Sequence, residues 1–293
     1  MQKALAAMSL AGVALLAACA PKDASQQDTA RIAQSGGAGS RATFDAATHT
    51  ATVYAKDYAF EAPDSIPAGL TTFHLVNEGP GLHHVQLVRL DSGKTAADLD
   101  AAMKTAPALP AWAVLVGGPN APAPGNVFDS SLDLAPGNYV MLCVVDIPDN
   151  VPHFAKGMVH PFRVTAATGA PAAAPTPDVT ITLADYNFAI KGSLTAGKHV
   201  VQILNDGPQD HEVEFFQLAP GKTLADLQAW IQTRQGPPPG MPIGGVAGTA
   251  RSTTSFITLD LTPGEYVMVC FVPDSKDGKP HTAHGMVKPF TVS

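Results

Sequence analysis

Two sets of cysteine, histidine and methionine recur in the sequence with similar spacing and could bind a metal ion. In each set the cysteine is followed by a loop, then by Pro-His, four further residues and a methionine. The loop holds nine residues in the first set and ten in the second. The sets consist of Cys143, His153 and Met158, and of Cys270, His281 and Met286. A thiolate, an imidazole and a thioether together favour a soft or borderline metal ion.

A second histidine joins each set from an earlier strand. His83 and His211 lie 128 residues apart and occupy the same place in an internal repeat. Strand alternation puts His83 on the same face as Val85 and Leu87, which predicts that its ring points into the interior. Each set then consists of two imidazoles, one thiolate and one thioether.

These four groups are the ligand set of a blue copper centre, in which the thioether is a weak axial ligand. Thiolate and thioether favour Cu(I) and imidazole accepts both oxidation states, so little reorganisation accompanies the gain or loss of an electron. The pattern predicts copper as the cofactor and either single-electron transfer or copper holding as the function. The two candidate sites are His211, Cys270, His281 and Met286, and His83, Cys143, His153 and Met158.

The sequence around these residues resembles the cupredoxins, the blue copper proteins that include plastocyanin and azurin. The resemblance rests on Gly-x-Tyr-x-x-x-Cys ahead of Pro-His-x-x-x-Gly-Met, with Asn and Gly followed by His upstream. It covers about residues 47 to 165 and 178 to 293. It implies an all-β chain of two tandem cupredoxin-like Greek-key β-sandwiches. In such domains the first histidine follows an earlier strand and the other ligands cluster in the last strand-loop-strand.

Two features depart from the cupredoxin pattern. The loops between cysteine and histidine are longer than in those proteins, and we expect inserted residues such as Asp149 and Asp274 to project into solvent. Lys156 stands in the first copy where the second has His284. Because a nearby ammonium disfavours a cation, the second site is predicted to be the stronger and the first the weaker.

The internal repeat also predicts the elements that position these residues. Its register is visible where Asp57-Tyr58-Ala59-Phe60 aligns with Asp185-Tyr186-Asn187-Phe188. Val179, Ile181 and Leu183 alternate with polar residues, as in a strand, and Thr95 and Thr223 are predicted to cap one short helical insertion in each copy. We predict cupredoxin-like domains at residues 47–166 and 178–293, joined by a linker at residues 167–177.

The N-terminus has the features of a bacterial lipoprotein signal peptide spanning residues 1–19. Lys3 precedes an apolar run that ends in Leu16-Ala17-Ala18-Cys19 and is too short to span a membrane. Cys19 is predicted to carry the lipid, with ordinary cleavage after a small residue as the alternative. Residues 20–46 are predicted to form a flexible tether. The chain would then be exported and lipid-anchored in the cell envelope, facing the periplasm, and Ala20 favours the outer membrane.

Composition and charge exclude other classes of function. With 18 basic and 25 acidic residues the net charge is −7, and the lack of a basic stripe argues against nucleic acid as a partner. The 26 glycines and 26 prolines favour many short strands and turns. Cys143 and Cys270 are counterparts in separate repeats, so a disulfide between them is not expected.

Two other classes of function stand beside the copper protein. One is a metal-free sandwich that binds another envelope protein or a saccharide. The other is an enzyme of the nitrite reductase or multicopper oxidase kind, which would need extra His-x-His or His-Cys-His ligands. The sequence contains neither triplet. The expectation is therefore a protein that is not an enzyme, that meets a redox or copper-exchange protein partner, and that reaches the membrane through Cys19.

Overall fold

Short strands dominate the computed structural model of this chain, which describes residues 41–105, 108–146, 148–233 and 236–293. The predicted signal peptide, the lipidation site Cys19 and most of the predicted tether lie outside the described residues. Across those four ranges we find no helix with the length and apolar character needed to cross a membrane.

The described N-terminal half contains ten strands and one α-helix, and the C-terminal half contains eight strands and one α-helix. The N-terminal elements are β1 (Phe44–Asp45), β2 (Thr50–Lys56), β3 (Ala59–Glu61), β4 (Ser65–Pro67), β5 (Gly69–Asn77), β6 (Gln86–Leu90), α1 (Ala96–Thr105), β7 (Ala113–Gly117), β8 (Val127–Leu134), β9 (Gly137–Leu142) and β10 (Val159–Thr165). The C-terminal elements are β11 (Val179–Ala184), β12 (Asn187–Lys191), β13 (Gly197–Asn205), β14 (His211–Leu218), α2 (Leu224–Thr233), β15 (Gly240–Thr249), β16 (Thr254–Leu261), β17 (Gly264–Val269) and β18 (Val287–Val292). A 3₁₀ turn precedes the last strand of each half, at His153–Lys156 and His281–His284.

The two halves share both sheets. One sheet has the order β1-β2-β5-β8-β16-β13-β11-β12, with β3 paired to β2, and the other has the order β18-β17-β14-β15-β7-β6-β9-β10-β4. The halves meet where β8 pairs with β16 and where β7 pairs with β15. The predicted all-β, cupredoxin-like fold class is confirmed. The predicted domain boundaries stay a prediction, because both sheets continue from one half into the other.

Side chains that alternate along the strands form a core between the sheets of each half. In β11, Val179, Ile181 and Leu183 are buried while the intervening residues are half-buried, as the two-residue period of a strand requires. Phe73 and Leu75 on β5 do the same in the N-terminal half. Each α-helix packs on a smaller apolar cluster against the opposite face of one sheet.

Both helices begin at the predicted threonine caps. The Thr95 hydroxyl accepts the backbone N–H of Asp98 at 3.2 Å, and the Asp98 carboxylate accepts the backbone N–H of Thr95 at 2.9 Å. Thr223 and Asp226 repeat this pair at 3.3 and 2.8 Å. Because each pair satisfies two N–H groups at a helix start, the cap and the short helix form together.

Phe128 carries apolar packing across the junction of the two halves. It lies on β8 in the N-terminal half, yet its side chain belongs to the core of the C-terminal half, together with Val213 and Val246. Gly244 on β15 lies against the ring, and a Cβ at that position would collide with it. Gly244 also has a φ of +106°, which other residues rarely adopt. Side-chain packing therefore joins the halves as well as strand pairing.

A histidine and an aspartate form a close ionisable pair at one edge of the C-terminal half. Asp178 Oδ2 lies 2.6 Å from Nδ1 of His199, and the Thr195 carbonyl lies 2.9 Å from Nε2. Burial lowers the pKa of His199, but the hydrogen bonds with Asp178 and Thr195 outweigh it and raise the pKa above its ordinary value. The hydrogen bond from His199 lowers the pKa of Asp178.

We expect His199→Gln to destabilise the protein in a limited range of pH. The folded pKa of His199 is raised, so its contribution is complete below about pH 6.5 and is lost as pH rises through the folded pKa. The contribution of Asp178 is present above about pH 3.9 and is lost as pH falls. Urea titrations of wild type and variant should therefore differ most between about pH 4 and 6.5. A difference that does not shrink as pH rises above about 6.5 would contradict this assignment.

Candidate metal centre

The candidate ligands of each half lie at one end of its sandwich. In the N-terminal half, His83 precedes β6, Cys143 follows β9, His153 opens the 3₁₀ turn and Met158 precedes β10. In the C-terminal half His211 is the first residue of β14, and Cys270, His281 and Met286 follow β17, open the 3₁₀ turn and precede β18.

The first site brings three donor atoms together. The Nδ1 atoms of His83 and His153 are 3.1 Å apart. The Sγ atom of Cys143 lies 4.0 Å from Nδ1 of His83 and 3.5 Å from Nδ1 of His153. All three side chains are buried. The donors meet although His83 and Cys143 lie next to different strands, β6 and β9.

The second site has nearly the same geometry. The Nδ1 atoms of His211 and His281 are 3.1 Å apart, and Sγ of Cys270 lies 3.3 Å from Nδ1 of His281. The three donor atoms all lie within 4.8 Å of one another. The backbone N–H of Glu212 donates to Sγ of Cys270 at 3.3 Å, a bond that also stabilises a thiolate. Neither Cys270 nor Cys143 forms a disulfide, as the repeat predicted.

The distances between donors fit a single metal ion. Imidazole nitrogen binds a divalent ion such as zinc at about 2.0–2.1 Å and thiolate at about 2.3 Å. Two nitrogens on one ion are then at most about 4 Å apart, and a nitrogen and a sulfur at most about 4.4 Å. The separations that the structure records, 3.1 Å between nitrogens and 3.3–4.0 Å between nitrogen and sulfur, lie inside these limits.

Main-chain hydrogen bonds hold each methionine beside the other ligands. The Met158 carbonyl accepts the N–H of Cys143 at 3.3 Å, and the Met158 N–H donates to the carbonyl of His153 at 3.0 Å. Met286 makes the same two bonds, also at 3.3 and 3.0 Å, and both methionines are fully buried. Their role as axial ligands stays a prediction.

The long loop between cysteine and histidine is closed at its base. The N–H of His153 donates to the Val145 carbonyl at 2.9 Å, and the N–H of Phe154 donates to the Cys143 carbonyl at 2.8 Å. The C-terminal half has equivalent bonds at 3.0 Å, from His281 to Val272 and from Thr282 to Cys270. The additional residues lie beyond this closure, so their number does not loosen the spacing of the ligands.

The expectation that the inserted residues project into solvent is only half right. Asp149 is exposed, but Asp274 is buried, with 3% of its surface exposed. The Tyr186 hydroxyl donates to Asp274 at 2.5 Å and the Gln209 amide at 3.0 Å, and these bonds hold the pKa of Asp274 below its usual range. The Asp274 carboxylate lies 3.8 Å from Nε2 of His281. The Asp274 carboxylate therefore lies close to His281, a candidate ligand of the second site.

The charge of Lys156 near the first site is neutralised by a neighbour. Its ammonium lies 2.8 Å from Oδ1 of Asp149 and donates to the hydroxyl of Tyr58 at 3.3 Å. An ammonium paired with a carboxylate opposes a nearby cation less than an unpaired one does. The ranking of the second site above the first stays a prediction, with a weaker physical reason than the sequence suggested.

Two aspartates that the sequence analysis did not single out hold the first histidine of each site. Asp57 Oδ1 lies 2.9 Å from Nε2 of His83, and Asp185 Oδ1 lies 3.0 Å from Nε2 of His211. Because an ionised carboxylate only accepts hydrogen bonds, Nε2 carries the ring proton and Nδ1 keeps its lone pair for a metal. Their signal in the sequence was the Asp-Tyr pair that recurs in the repeat.

The turn that carries each aspartate also places a tyrosine on the second histidine. Tyr58 and Tyr186 have φ values of 62° and 56°, a region that costs a non-glycine residue about 1–3 kcal/mol. The ring of Tyr58 meets His153 edge to face at a centroid distance of 5.1 Å, and Tyr186 meets His281 in the same way at 5.5 Å. One strained turn thus orients two ligands.

Burial keeps the metal-free donors uncharged. It lowers the pKa of His211, against the raising effect of the Asp185 carboxylate, and lowers the pKa of His281 to about 4. Burial raises the pKa of the Cys143 thiol to about 12 and that of Cys270 well above its ordinary value. A metal ion that binds here displaces the thiol proton and meets imidazoles that are already neutral.

The sequence matches no protein-family profile and no curated protein. Among solved structures, reduced auracyanin from the photosynthetic bacterium Roseiflexus castenholzii is 23% identical over 40% of this chain and 97% of its own, with a TM-score of 0.29. A multicopper oxidase is 16% identical over 83% of this chain and 88% of its own, with a TM-score of 0.25. The blue copper oxidase from Nitrosomonas europaea is 14% identical over 82% and 85%, with a TM-score of 0.24.

Each half of this chain combines a β-sandwich with a histidine, a cysteine and a histidine that meet at one end. The chain has a cupredoxin-like fold. Its two donor sets, each of two imidazole nitrogens and a thiol sulfur, point to copper as the ion, as the sequence predicted.

The expectation that the chain is not an enzyme is contradicted. The matched structures include a multicopper oxidase and a copper-containing nitrite reductase from Thermus scotoductus, which are enzymes.

We expect Gly79→Ala to weaken metal binding at the first site. A Cβ on Gly79 would collide with Nε2 of His83 and lie 3.0 Å from Oδ1 of Asp57, so the variant must displace the ligand or its partner. Loss of such an outer contact typically costs about 10–100-fold in metal affinity. Gly81→Ala is the matched control, because its Cβ would meet no atom within 4 Å. Competition titrations with a copper chelator measure both, and equal affinities would contradict the prediction.

Proposed function

We propose that this protein holds copper at two centres and passes single electrons outside the cytoplasm. The observation that carries the proposal is the convergence of two Nδ1 atoms and one buried Sγ atom in each half. His211, Cys270 and His281 would hold one ion, with Met286 as axial ligand. His83, Cys143 and His153 would hold the other, with Met158 as axial ligand.

The donor set and its surroundings favour electron transfer over copper holding alone. Two imidazoles and a thiolate suit both oxidation states of copper. The carboxylates of Asp57 and Asp185, the strained Tyr58 and Tyr186 turns and the closed loop bases all fix donor positions in the metal-free protein. A site that needs no rearrangement on reduction or oxidation exchanges an electron with little reorganisation.

The partner and the location follow from the same proposal. A redox protein or a copper-exchange protein would meet the exposed ends of the sandwiches. Cys19 would carry a lipid after removal of residues 1–18 and would tether the protein to the periplasmic side of the cell envelope. Mass spectrometry of the mature N-terminus tests the anchor, and an unmodified Cys19 would refute it.

Copper titration of the purified protein tests the function. We expect two copper ions per chain and an intense thiolate-to-copper absorption band that a one-electron reductant bleaches and an oxidant restores. The bleached protein should keep its copper, because both oxidation states suit the donors. Copper uptake without the band, or loss of the ion on each reduction, would refute electron transfer through these sites.

A further inference from the structure

A chain of hydrogen bonds, buried at its centre and part-buried at its two ends, connects the surroundings of the two centres. The backbone N–H of Val144 donates to Nε2 of His84 at 3.0 Å, and Nδ1 of His84 lies 3.1 Å from Oδ1 of Asn120. The Nδ2 group of Asn120 donates to Oε2 of Glu212 at 3.4 Å. Oε1 of Glu212 accepts the backbone N–H of Phe271 at 2.7 Å.

Both ends of this chain are covalently next to candidate copper ligands. Val144 directly follows Cys143, and Phe271 directly follows Cys270. His84 directly follows His83, and Glu212 directly follows His211. The chain therefore runs from one donor set to the other through the junction between the halves. Each step between neighbouring residues of the chain is a single hydrogen bond.

The donors and acceptors along the chain are consistent with a single arrangement of protons. The Val144 N–H needs an acceptor, so Nε2 of His84 is unprotonated and Nδ1 carries the hydrogen that Asn120 accepts. The amide of Asn120 then donates to the Glu212 carboxylate, which also accepts from Phe271. His84, Asn120 and Glu212 are all buried, and a buried network is stable when every member is paired.

The repeat makes this arrangement specific to the junction. His84 and Glu212 occupy equivalent positions in the two halves, yet one is a ring and the other a carboxylate. Two identical residues there would present the same group to Asn120 from both sides, whereas Asn120 offers one acceptor and one donor group. Because the copies differ, His84 donates to the amide oxygen of Asn120 and Glu212 accepts from its amide nitrogen.

We propose that the two copper centres exchange electrons within one molecule along the chain Val144, His84, Asn120, Glu212 and Phe271. This inference rests on the proposed function. One electron passes from the reduced donor set to the oxidised one, so one centre is oxidised as the other is reduced. Every hydrogen stays on its donor atom, and no external oxidant or reductant is consumed. The protein would thus share electrons between a site that receives them and a site that delivers them.

Pulse reduction of the copper-loaded full-length protein tests the exchange. In a Met286→Gln background the two centres should differ in potential and absorption, since the axial ligand tunes both. We expect a bimolecular reduction followed by a first-order phase whose rate constant is independent of protein concentration. A second phase that accelerates with protein concentration, or no second phase, would overturn the inference while the reversible band of the proposed function persists.

Asn120→Leu tests the route, because it removes two of the four hydrogen bonds. We expect the first-order phase to slow by about tenfold, which corresponds to about 1.4 kcal/mol in activation free energy. Glu212→Gln is the second variant and removes one acceptor while keeping the other. Gln86→Met is the matched control, since it breaks a bond across the same junction, to the Gly248 carbonyl at 2.7 Å, away from the chain. An unchanged rate in both chain variants would overturn the proposed route.

Amide hydrogen exchange of the metal-free protein gives a readout that needs no copper. Asn120→Leu should increase exchange at Val144 and Phe271, because the groups that accept these two N–H bonds lose their support. The Gln86→Met control should leave both amides unchanged. Unchanged exchange at both amides in Asn120→Leu would show that the chain does not form and would overturn the route even in a protein that binds no copper.

Discussion

Cys270→Ser is expected to remove one of the two bound copper ions and the share of the absorption band that belongs to the second site. A serine hydroxyl is a hard oxygen donor and does not supply the thiolate on which the charge-transfer band depends. Cys143→Ser should do the same at the first site. The double variant should bind no copper at either site and show no band.

The matched control for this prediction is Met268→Leu. Met268 lies two residues before Cys270, is fully buried and is not among the candidate ligands. A methionine-to-leucine change in a core conserves volume and usually costs less than about 1.5 kcal/mol. Metal analysis and absorption spectra are compared for the two single cysteine variants, the double variant and Met268→Leu. A Cys270→Ser protein that keeps two coppers and the full band would rule out Cys270 as a ligand.

Phe128→Ala is expected to lower the free energy of unfolding by about 3–5 kcal/mol, the usual cost of removing a buried phenylalanine side chain. The ring is 6% exposed and packs into the core of the half to which its strand does not belong. Its loss leaves a cavity over Gly244 and removes apolar contact from the junction. We therefore also expect the two halves to unfold with less coincident transitions.

Val127→Ala is the matched control for Phe128→Ala. Val127 is the neighbouring residue on β8 and is 53% exposed, so its truncation should change stability by less than about 0.5 kcal/mol. Urea unfolding followed by tryptophan fluorescence and by circular dichroism measures both variants. A cost for Phe128→Ala no larger than that of the control would contradict the packing assigned to the ring.

Cys270→Ser tests metal binding within one half, and Phe128→Ala tests the stability of the junction between the halves. The cysteines are the proposed copper ligands within each half, whereas Phe128 packs across the junction between the halves. If the junction is needed to hold His84, Asn120 and Glu212 in line, Phe128→Ala should also slow electron exchange between the centres without changing the number of coppers bound. Such a result would connect the stability of the junction with the electron exchange proposed to pass through it.

Much of the candidate site could be predicted from the sequence because ligand chemistry is tied to residue type. Cys270, His281 and Met286 are close in the chain, and a strand followed by a turn brings such residues together. His211 required the alternation of a strand and the internal repeat. Strand alternation is a local pattern and the repeat is a comparison of the sequence with itself, so neither signal needs knowledge of the fold.

The sequence patterns did not predict which residues contact the candidate ligands. Asp185 lies 26 residues before the histidine that it contacts, and nothing in the local pattern connects the two. Asp274 is an acidic residue in a polar loop, which favours an exposed position, yet the Tyr186 hydroxyl and the Gln209 amide hold it in a buried one. Specific hydrogen bonds outweighed the general preference of a carboxylate for water.

The two candidate donor sets, the all-β class and the helix caps could be predicted from residue types, from the alternation of strands and from the internal repeat. The edge-to-edge pairing of the two sandwiches and the packing of Phe128 across their junction became visible only in the fold. It also decided that His84, Asn120 and Glu212 form one buried chain. The physical reason is that the pairing of edge strands and the contacts of buried polar groups depend on residues far apart in sequence, whose meeting no local pattern encodes.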